Sequence, residues 1–183
     1  MPTKLWQEQC QLIVRTGSKA RSSAAPALGP VSGAYGPTDL QSAYALASAA
    51  SANGAGTVVA ITDAFSDPNL ASDMAHYRAQ YGLPACDTTT GDGCLTVVNE
   101  NGASPSGVPG DRTGGWEAEQ ALDVEMVSAI CPNCKIVMYE ANSASTTDLG
   151  TAENSAAAGN STTGVPAAKF ISNSWSGFDS PGE

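Results

Sequence analysis

The sequence predicts an α/β fold with a largely parallel sheet flanked by helices. Apolar, β-branched runs alternate with segments of helical periodicity, which is the order that a parallel sheet with crossover helices requires. The near-continuous apolar run at residues 57–62 has the composition of a parallel strand buried on both faces. The chain has 183 residues, including 19 glycines and 11 prolines, and is therefore long enough for one turn-rich domain with a sizeable core.

The predicted elements begin after residues 1–34, a segment with little periodicity that is interpreted as a tail or linker. A turn at 35–40 leads into a short helix at 40–50, which a glycine-rich stretch ends. The elements that follow are a strand at 57–62, a helix at 69–81, a strand at 95–99, a loop at 100–113, a helix at 114–130, a strand at 135–140, a helix at 147–158 and a strand at 169–175. Residues 1–30 lack the apolar centre of a signal peptide, and no apolar run approaches the roughly 18 residues of a membrane helix. No membrane partner is therefore expected.

The helix predicted at 114–130 carries the main candidates for chemistry. Glu119 and Asp123 are four residues apart, so both carboxylates project from one side of the helix. A buried face is predicted from the apolar residues at helical spacing, which are Leu122, Met126, Ala129 and Ile130. Two acids that continue into an apolar stripe perturb each other's pKa and suit general acid–base work. The alternative is a solvated helix whose N-terminal acids are favoured by the helix dipole.

The spacing of the five cysteines predicts two local disulfides. Cys86 and Cys94 bracket a turn-rich loop, and Cys131 and Cys134 bracket a Pro-Asn turn after the long helix. The second pair permits a structural disulfide, a redox-active pair or half of a zinc site. Zinc is disfavoured because the chain has one histidine and no second CxxC motif. Two local bridges favour an oxidising, extracellular compartment and leave Cys10 over.

The charge balance limits the classes of partner. Eighteen acidic residues against eight basic ones give a net charge of −10. Such a surface argues against nucleic acid and anionic membranes as partners. It also suits a protein that works in acid, where carboxylates begin to neutralise.

Several stretches together resemble the sedolisin family of serine-carboxyl peptidases, acid-acting relatives of the subtilisins. They are Tyr-Gly-Pro-Thr-Asp-Leu at 35–40, Val-Ala-Ile-Thr-Asp-Ala-Phe at 59–65, Asp-Pro-Asn at 67–69, Tyr-Arg-Ala-Gln-Tyr-Gly-Leu-Pro at 77–84, the Glu-x-x-x-Asp helix with its Cys-Pro-Asn-Cys end, Glu-Ala-Asn-Ser-Ala at 140–144 and Ser-Asn-Ser-Trp-Ser-Gly at 172–177. The most specific combination is the Glu-x-x-x-Asp pair followed by Ser-x-Ser-Trp-x-Gly after a strand. The resemblance implies a partial subtilisin-like fold over residues 35–183, with residues 1–34 as a tail or prosegment remnant.

The resemblance also implies roles for individual residues. The general base of the family falls on Glu119, and its carboxylate partner falls on Asp123. A third family acid, which donates to the oxyanion, falls on Asp179, with Glu183 as the alternative. The implied function is hydrolysis of proteins or peptides at acidic pH by a secreted, monomeric endopeptidase.

Ordinary subtilisins are the nearest competing family. Asp63 follows a strand at the place of their catalytic aspartate, but they also need a histidine in a His-Gly-Thr helix. The single histidine, His76, stands in Ala-His-Tyr-Arg and is interpreted as a helix-face residue. Asp63 is accordingly interpreted as the end of a strand or a turn cap.

The sequence departs from the sedolisin pattern because no Gly-Thr-Ser, the motif of the nucleophile, occurs within the 183 residues. Residues 35–183 therefore resemble the N-terminal half of a catalytic domain, and the chain as given is expected to be inactive. The family's calcium site lies in the C-terminal part, so no cofactor or metal is expected in this segment. Two alternatives remain: a non-catalytic α/β binding domain, and a thiol oxidoreductase built on Cys131 and Cys134.

Overall fold

The fold comes from a computed structural model and is described for residues 8–10, 35–86, 93–112 and 115–177. The strands are β1 Gln9–Cys10, β2 Val58–Ala64, β3 Leu95–Asn99, β4 Lys135–Ala141, β5 Phe170–Ser172 and β6 Trp175–Ser176. The helices are α1 Pro37–Ala43, α2 Ala47–Ala52, α3 Leu70–Gln80, α4 Gly115–Ile130 and α5 Thr146–Ala158. No helix in the described ranges combines the length and the apolar character needed to span a membrane.

The main sheet has four parallel strands in the order β3-β4-β2-β5. A separate two-stranded sheet pairs β1 with β6 in antiparallel register. The predicted α/β class with a largely parallel sheet is confirmed. β1 lies within the segment that the sequence analysis interpreted as a tail, and the domain boundary at residue 35 stays a prediction.

The two faces of the sheet bury two apolar clusters, because side chains alternate between faces along each strand. Ile61 of β2 and Met138 of β4 pack with Val124 of α4 in the cluster that α3 and α4 cover. Ala60 of β2 and Tyr139 of β4 belong to the other cluster, which α5 covers. The long helix α4 therefore lies on the face to which Ile61 points, and so does the next residue with the same orientation, Asp63.

Two elements differ from their sequence prediction. The single helix expected at 40–50 is two helices, α1 and α2, because the chain turns at Ala45, which has a positive φ of 55°. The strand expected at 169–175 ends at Ser172. Beyond that point Asn173 and Trp175 bond to Thr62, so the chain leaves the sheet, and β6 pairs with β1.

Both predicted disulfides are formed, Cys86 to Cys94 and Cys131 to Cys134, each with a Cα–Cα distance of 5.3 Å. Cys134 is buried. The neighbouring Asn133 donates from its side-chain amide to the carbonyls of Ala50 (3.4 Å) and Asn53 (3.3 Å). The second bridge is thus packed against the end of α2, as expected for a structural disulfide.

A buried arginine joins the carboxyl ends of α3 and α4. Arg78 Nε donates to the carbonyl of Pro84 at 2.7 Å, and Nη2 donates to the carbonyl of Pro132 at 2.7 Å. Nη1 donates to Ser128 Oγ of α4 at 3.1 Å. Burial lowers the pKa of Arg78. The cation is held by neutral oxygens at two helix C-termini, where the helix dipoles favour positive charge.

Candidate active site

Glu119 and Asp123 both lie on the buried side of α4. Glu119 is 2% exposed and Asp123 is 8% exposed, whereas Glu117 and Glu125 on the same helix are half-buried. This placement excludes the alternative of a solvated face for the pair. The N-terminal half of α4 lies at the carboxyl ends of the parallel strands, because α4 follows β3 and runs back before β4. Ligands of open parallel sheets bind at that edge.

The predicted buried face of α4 was only partly right. The deepest side chains include Trp116, Gln120, Val124, Ser128 and Ala129. Leu122, Met126 and Ile130 are half-buried. Met126 and Ile130 instead line an open groove of about 300 Å³ that reaches Asp123 and Ser172. Polar Gln120 and Ser128 take core positions because each has a hydrogen-bond partner there.

Asp63 adds a third carboxyl to the pair, and the sequence did not predict that these three acids lie together. Asp63 is completely buried and lies one residue before the end of β2, close to the strand end expected from the sequence, and its side chain caps no turn among the described residues. Burial raises the pKa of Asp63 well above its usual value, and the charges of Asp123 and Glu119 raise it further. Among the described residues, neither side-chain oxygen of Asp63 has a hydrogen-bond partner. The available signal was a lone acid in an apolar strand, which is costly to bury unless it has a role.

Asp123 has one hydrogen-bonded oxygen and one buried oxygen without a partner in the described part of the chain. Ser174 Oγ donates to Asp123 Oδ1 at 2.9 Å. Burial raises the pKa of Asp123, and the bond from Ser174 opposes that rise. Burial and the charges of Asp123 and Glu119 disfavour ionisation of Asp63, so the cluster tends to keep a proton above the ordinary carboxyl pKa. Asp63, with the strongest burial, is the group best suited to hold it.

The loop after β5 is fixed by side-chain bonds to β2. Thr62 Oγ1 donates to Asn173 Oδ1, and Trp175 Nε1 donates to the carbonyl of Thr62 at 2.8 Å. These bonds flank Ser174 on both sides and so hold its hydroxyl at Asp123. The Ser-x-Ser-Trp motif therefore positions a hydrogen-bond donor at the carboxyl cluster.

The carboxyl end of β2 is fixed from α4. Gln120 Nε2 donates to the carbonyls of Ala64 (3.1 Å) and Phe65 (2.9 Å). Phe65 has a positive φ of 67°, an unfavourable conformation for a bulky residue. Such strain persists only where its surroundings enforce it, and it is typical of functional sites.

An N-terminal segment of the chain is bound along β6. Gln9 and Cys10 pair with Ser176 and Trp175 in antiparallel register. Glu8 anchors this segment: its amide donates to the carbonyl of Ala144 at 2.7 Å, and its Oε1 accepts from Thr146 Oγ1 at 2.9 Å. The strand that follows Ser174 is therefore able to bind an extended peptide.

The remaining candidates are placed as follows. Asp179 and Glu183, the two candidates for the oxyanion acid, lie outside the described residues. His76 is exposed on α3, in agreement with its interpretation as a helix-face residue. Within the described ranges, no group of three or more His, Cys, Asp or Glu side chains is arranged to hold a metal ion.

Comparison with known proteins supports the fold. No family profile and no curated protein sequence matches the chain at a significant level. The structure of Pseudomonas sedolisin, a serine-carboxyl proteinase complexed with two molecules of pseudo-iodotyrostatin, is similar over 75% of this chain, with 19% sequence identity and a TM-score of 0.52. The chain spans about a third of the length of that protein (33%). The likeness shows a sedolisin-like fold.

Proposed function

We propose that this chain carries the acid–base half of a serine-carboxyl peptidase that cleaves proteins or peptides in acid. The observation that carries the proposal is the cluster of Asp63, Glu119 and Asp123, buried together at the carboxyl edge of the sheet. Burying three carboxyls in one site costs stability through desolvation, and such costs are retained where chemistry requires them. The sedolisin-like fold supports the same assignment.

In this proposal Glu119 is the general base that takes the proton of a serine hydroxyl, and Asp123 is its partner. A carboxylate base stays ionised at a pH where a histidine, with its pKa of about 6.5, would already be protonated. Asp63 holds the proton that burial forces on the cluster, so that Glu119 and Asp123 can carry negative charge in mild acid. Ser174 favours the ionised form of Asp123 by donating to it.

The peptide substrate would lie along β6. An extended segment of this chain already pairs with Trp175 and Ser176, so a substrate strand would use the same backbone groups after displacing Gln9 and Cys10. The serine nucleophile would come from sequence C-terminal to residue 183, and so would the calcium site. Asp179 would donate to the oxyanion. Replacing it with asparagine should lower kcat roughly 10²–10³-fold, and a loss below tenfold would move the role to Glu183 or to neither residue.

The test is to express the complete coding sequence that contains these 183 residues and to assay cleavage of a denatured protein from acid to neutral pH. The proposal requires activity that peaks in acid, that depends on a serine beyond residue 183, and that Glu119→Gln abolishes. A protein that binds peptides through β6 but cleaves none at any pH would instead be the non-catalytic binding domain. Reactive thiols at Cys131 and Cys134 would favour the thiol oxidoreductase.

A further inference from the structure

A second pair of carboxyls lines a cavity beside the proposed catalytic cluster. The cavity has a volume of about 470 Å³, and its lining includes Asp67 and Glu140. Its walls also include the apolar side chains Leu70 and Val97 and the hydroxyls of Ser104 and Ser106. Small-molecule sites have this mixture of apolar walls and a few convergent polar groups, and volumes from about 300 Å³ upward.

The cavity lies one strand away from the catalytic cluster. Glu140 of β4 is the register partner of Asp63 in β2, and paired strands lie about 4.8 Å apart. Glu140 follows Met138 by two residues, and Asp63 follows Ile61 by two, so both acids project from the face that α3 and α4 cover. A peptide bound along this edge of the sheet could therefore reach both sites at once.

Glu140 is buried, and one of its two carboxyl oxygens accepts a hydrogen bond from the backbone. It is 2% exposed, and its Oε1 accepts from the backbone N–H of Asp67 at 3.1 Å. No hydrogen bond from the described residues reaches its Oε2. Burial raises the pKa of Glu140 to about 7, and the charge of Asp67 contributes to the rise. Burial likewise raises the pKa of Asp67.

Capping of α3 accounts for only part of this arrangement. Asp67 Oδ1 accepts from the backbone N–H of Asn69 at 2.8 Å, which is an ordinary role for an acid before a helix. The helix end offers a partial positive charge of about one half, which offsets only part of two carboxylates. Capping also does not explain why Glu140 and Asp67 line a cavity together.

The size and lining of the cavity select the kind of cation that would balance these acids. A single metal ion needs about the volume of one water, roughly 30 Å³, and several oxygen ligands around it. This cavity is a groove open to solvent, so a small ion would be only partly enclosed, and its walls include apolar side chains. An ammonium or guanidinium group on an aliphatic stem fits both features, because the stem can cover the apolar wall while the head meets the carboxylates.

We propose that this cavity is a specificity subsite that takes the lysine or arginine side chain of a peptide substrate. The stem packs along Val97, and the charged head lies between Glu140 and Asp67 and lowers the pKa of both carboxyls, so that they are ionised in the complex. That the bound peptide is a substrate rests on the proposed peptidase function, whereas binding of the basic side chain does not.

The test measures binding of two capped pentapeptides to the 183-residue protein by amide chemical-shift titration at neutral pH. One peptide is Ala-Ala-Lys-Ala-Ala, and the other replaces lysine with norleucine, which keeps the stem and removes the charge. We expect the lysine peptide to bind about tenfold more tightly, the effect of one good hydrogen bond to a charged group, and to shift the amides of the non-proline residues in 66–71 and 104–106. Free butylamine at the same concentration should bind more weakly than the lysine peptide, because it has no backbone to pair along the rim.

Matched variants locate the effect. Glu140→Gln should lower the affinity for the lysine peptide to that for the norleucine peptide. Glu125→Gln should change neither affinity, although burial raises the pKa of Glu125 to about 7 as well, because Glu125 does not line the cavity. Ser106→Lys is a second variant at an exposed position. Its own ammonium should weaken binding of the lysine peptide and leave binding of the norleucine peptide unchanged.

Equal affinity for the two peptides, shifts confined to another surface, or full affinity in the Glu140→Gln protein would each overturn the subsite. Displacement of the lysine peptide by calcium, but not by sodium of equal ionic strength, would overturn it in favour of a metal site. Equal binding of butylamine and the lysine peptide would identify a free amine as the ligand and would overturn the assignment of a peptide substrate. If the lysine peptide binds as expected but the complete protein cleaves nothing, the peptidase function fails and the basic side-chain site stands.

Discussion

At the scale of single residues, the most consequential feature is the burial of three acids in one site. Asp63, Glu119 and Asp123 share one desolvated site, and the one bond that favours ionisation of Asp123 comes from a neutral serine. The cluster is therefore sensitive both to pH and to the loss of any member.

Glu119 and Asp123 should behave as one unit in the complete peptidase. Glu119→Ala and Asp123→Ala should each lower kcat by about 10²-fold or more, and the double mutant should be little worse than either, because members of one relay are not additive. Steady-state kinetics in acid provide the measurement. Glu117→Ala is the control and should change kcat less than a few-fold, since Glu117 is half-buried and outside the cluster. Additive losses, or an equal loss at Glu117, would show that the pair is wrongly assigned.

Asp63 should make the stability of the chain depend on pH in an unusual direction. Its pKa is raised on folding, so the folded state holds this proton more tightly than the unfolded state does. The free energy of unfolding should therefore fall as pH rises from about 4, the pKa of the unfolded group, toward the folded pKa, by about 1.4 kcal/mol per unit of pKa shift.

Asp63→Asn removes this dependence, because the amide is neutral at every pH. Urea unfolding should show the variant to be more stable than the native protein at pH 7, and the difference should shrink toward pH 4. Thr62→Ser, next to it, keeps the hydroxyl that bonds to Asn173 and serves as a control for perturbation of β2. A variant that is less stable than the native protein at neutral pH would contradict the assigned burial cost.

At the scale of the elements, two contacts join the C-terminal ends of α2, α3 and α4. One is the Cys131–Cys134 bridge against the loop before β2, and the other is the buried guanidinium of Arg78. Both lie at the opposite end of α4 from its N-terminal half, so they stabilise the helix without entering the site.

Gly54 should be irreplaceable because it lies directly on that bridge. Its φ is +93°, and a Cβ there would stand 2.6 Å from Cys131 Sγ. Gly54→Ala should cost the backbone strain of about 1–2 kcal/mol plus a clash. Gly56→Ala is the matched control, since Gly56 also has a positive φ (+78°) but nothing within 4 Å. Thermal unfolding should show the larger loss at Gly54, and the excess should diminish after reduction of the disulfide. Equal losses in the two variants would mean that the bridge does not constrain the loop.

Arg78 should not tolerate lysine. A lysine keeps the charge but cannot reach the carbonyls of Pro84 and Pro132 and the hydroxyl of Ser128 together. Arg78→Lys should lower the free energy of unfolding by about 2–4 kcal/mol in urea titrations, because buried acceptors are left unsatisfied. Arg112→Lys, at an exposed position, should be neutral. An Arg78→Lys variant with unchanged stability would show that charge alone, and not the three hydrogen bonds, holds the helix ends.

At the scale of the whole molecule, the strand and helix pattern was predictable because parallel strands are continuous apolar runs and helices have a different period. β3 has its predicted bounds, and α4 begins one residue after its own predicted start. The predicted single helix at 40–50 failed because the break at Ala45 depends on backbone conformation that no residue type there signals. β1 was missed because its partner, β6, lies at the other end of the chain.

The site was predictable as a pair and not as a cluster. Four-residue spacing alone puts Glu119 and Asp123 on one side of a helix. Joining Asp63 to them requires knowing that α4 packs on the face of β2 to which Asp63 points, which is a fact of tertiary structure. Glu140 was missed for the same reason, since only the parallel register brings it beside Asp63.

Both disulfides should be present in protein isolated from an oxidising compartment. The two pairs are close in sequence and are bonded in the fold, so disulfide exchange to another pairing should not be favoured. Mass mapping of peptides from the non-reduced protein should recover the Cys86–Cys94 and Cys131–Cys134 links. Recovery of Cys10 joined to any of the other four would contradict this pairing.

The order of the main sheet has a consequence for biosynthesis. β2 is an interior strand, but its two neighbours, β4 and β5, follow it by about seventy and about a hundred residues. At about 5–20 residues per second, a ribosome needs roughly 4–14 s to deliver the first neighbour. Throughout that interval this largely apolar strand is synthesised but unpaired, with an acid near its carboxyl end that cannot yet be buried. Asp63 then keeps the nascent strand charged and soluble until α4 and β4 arrive to enclose it.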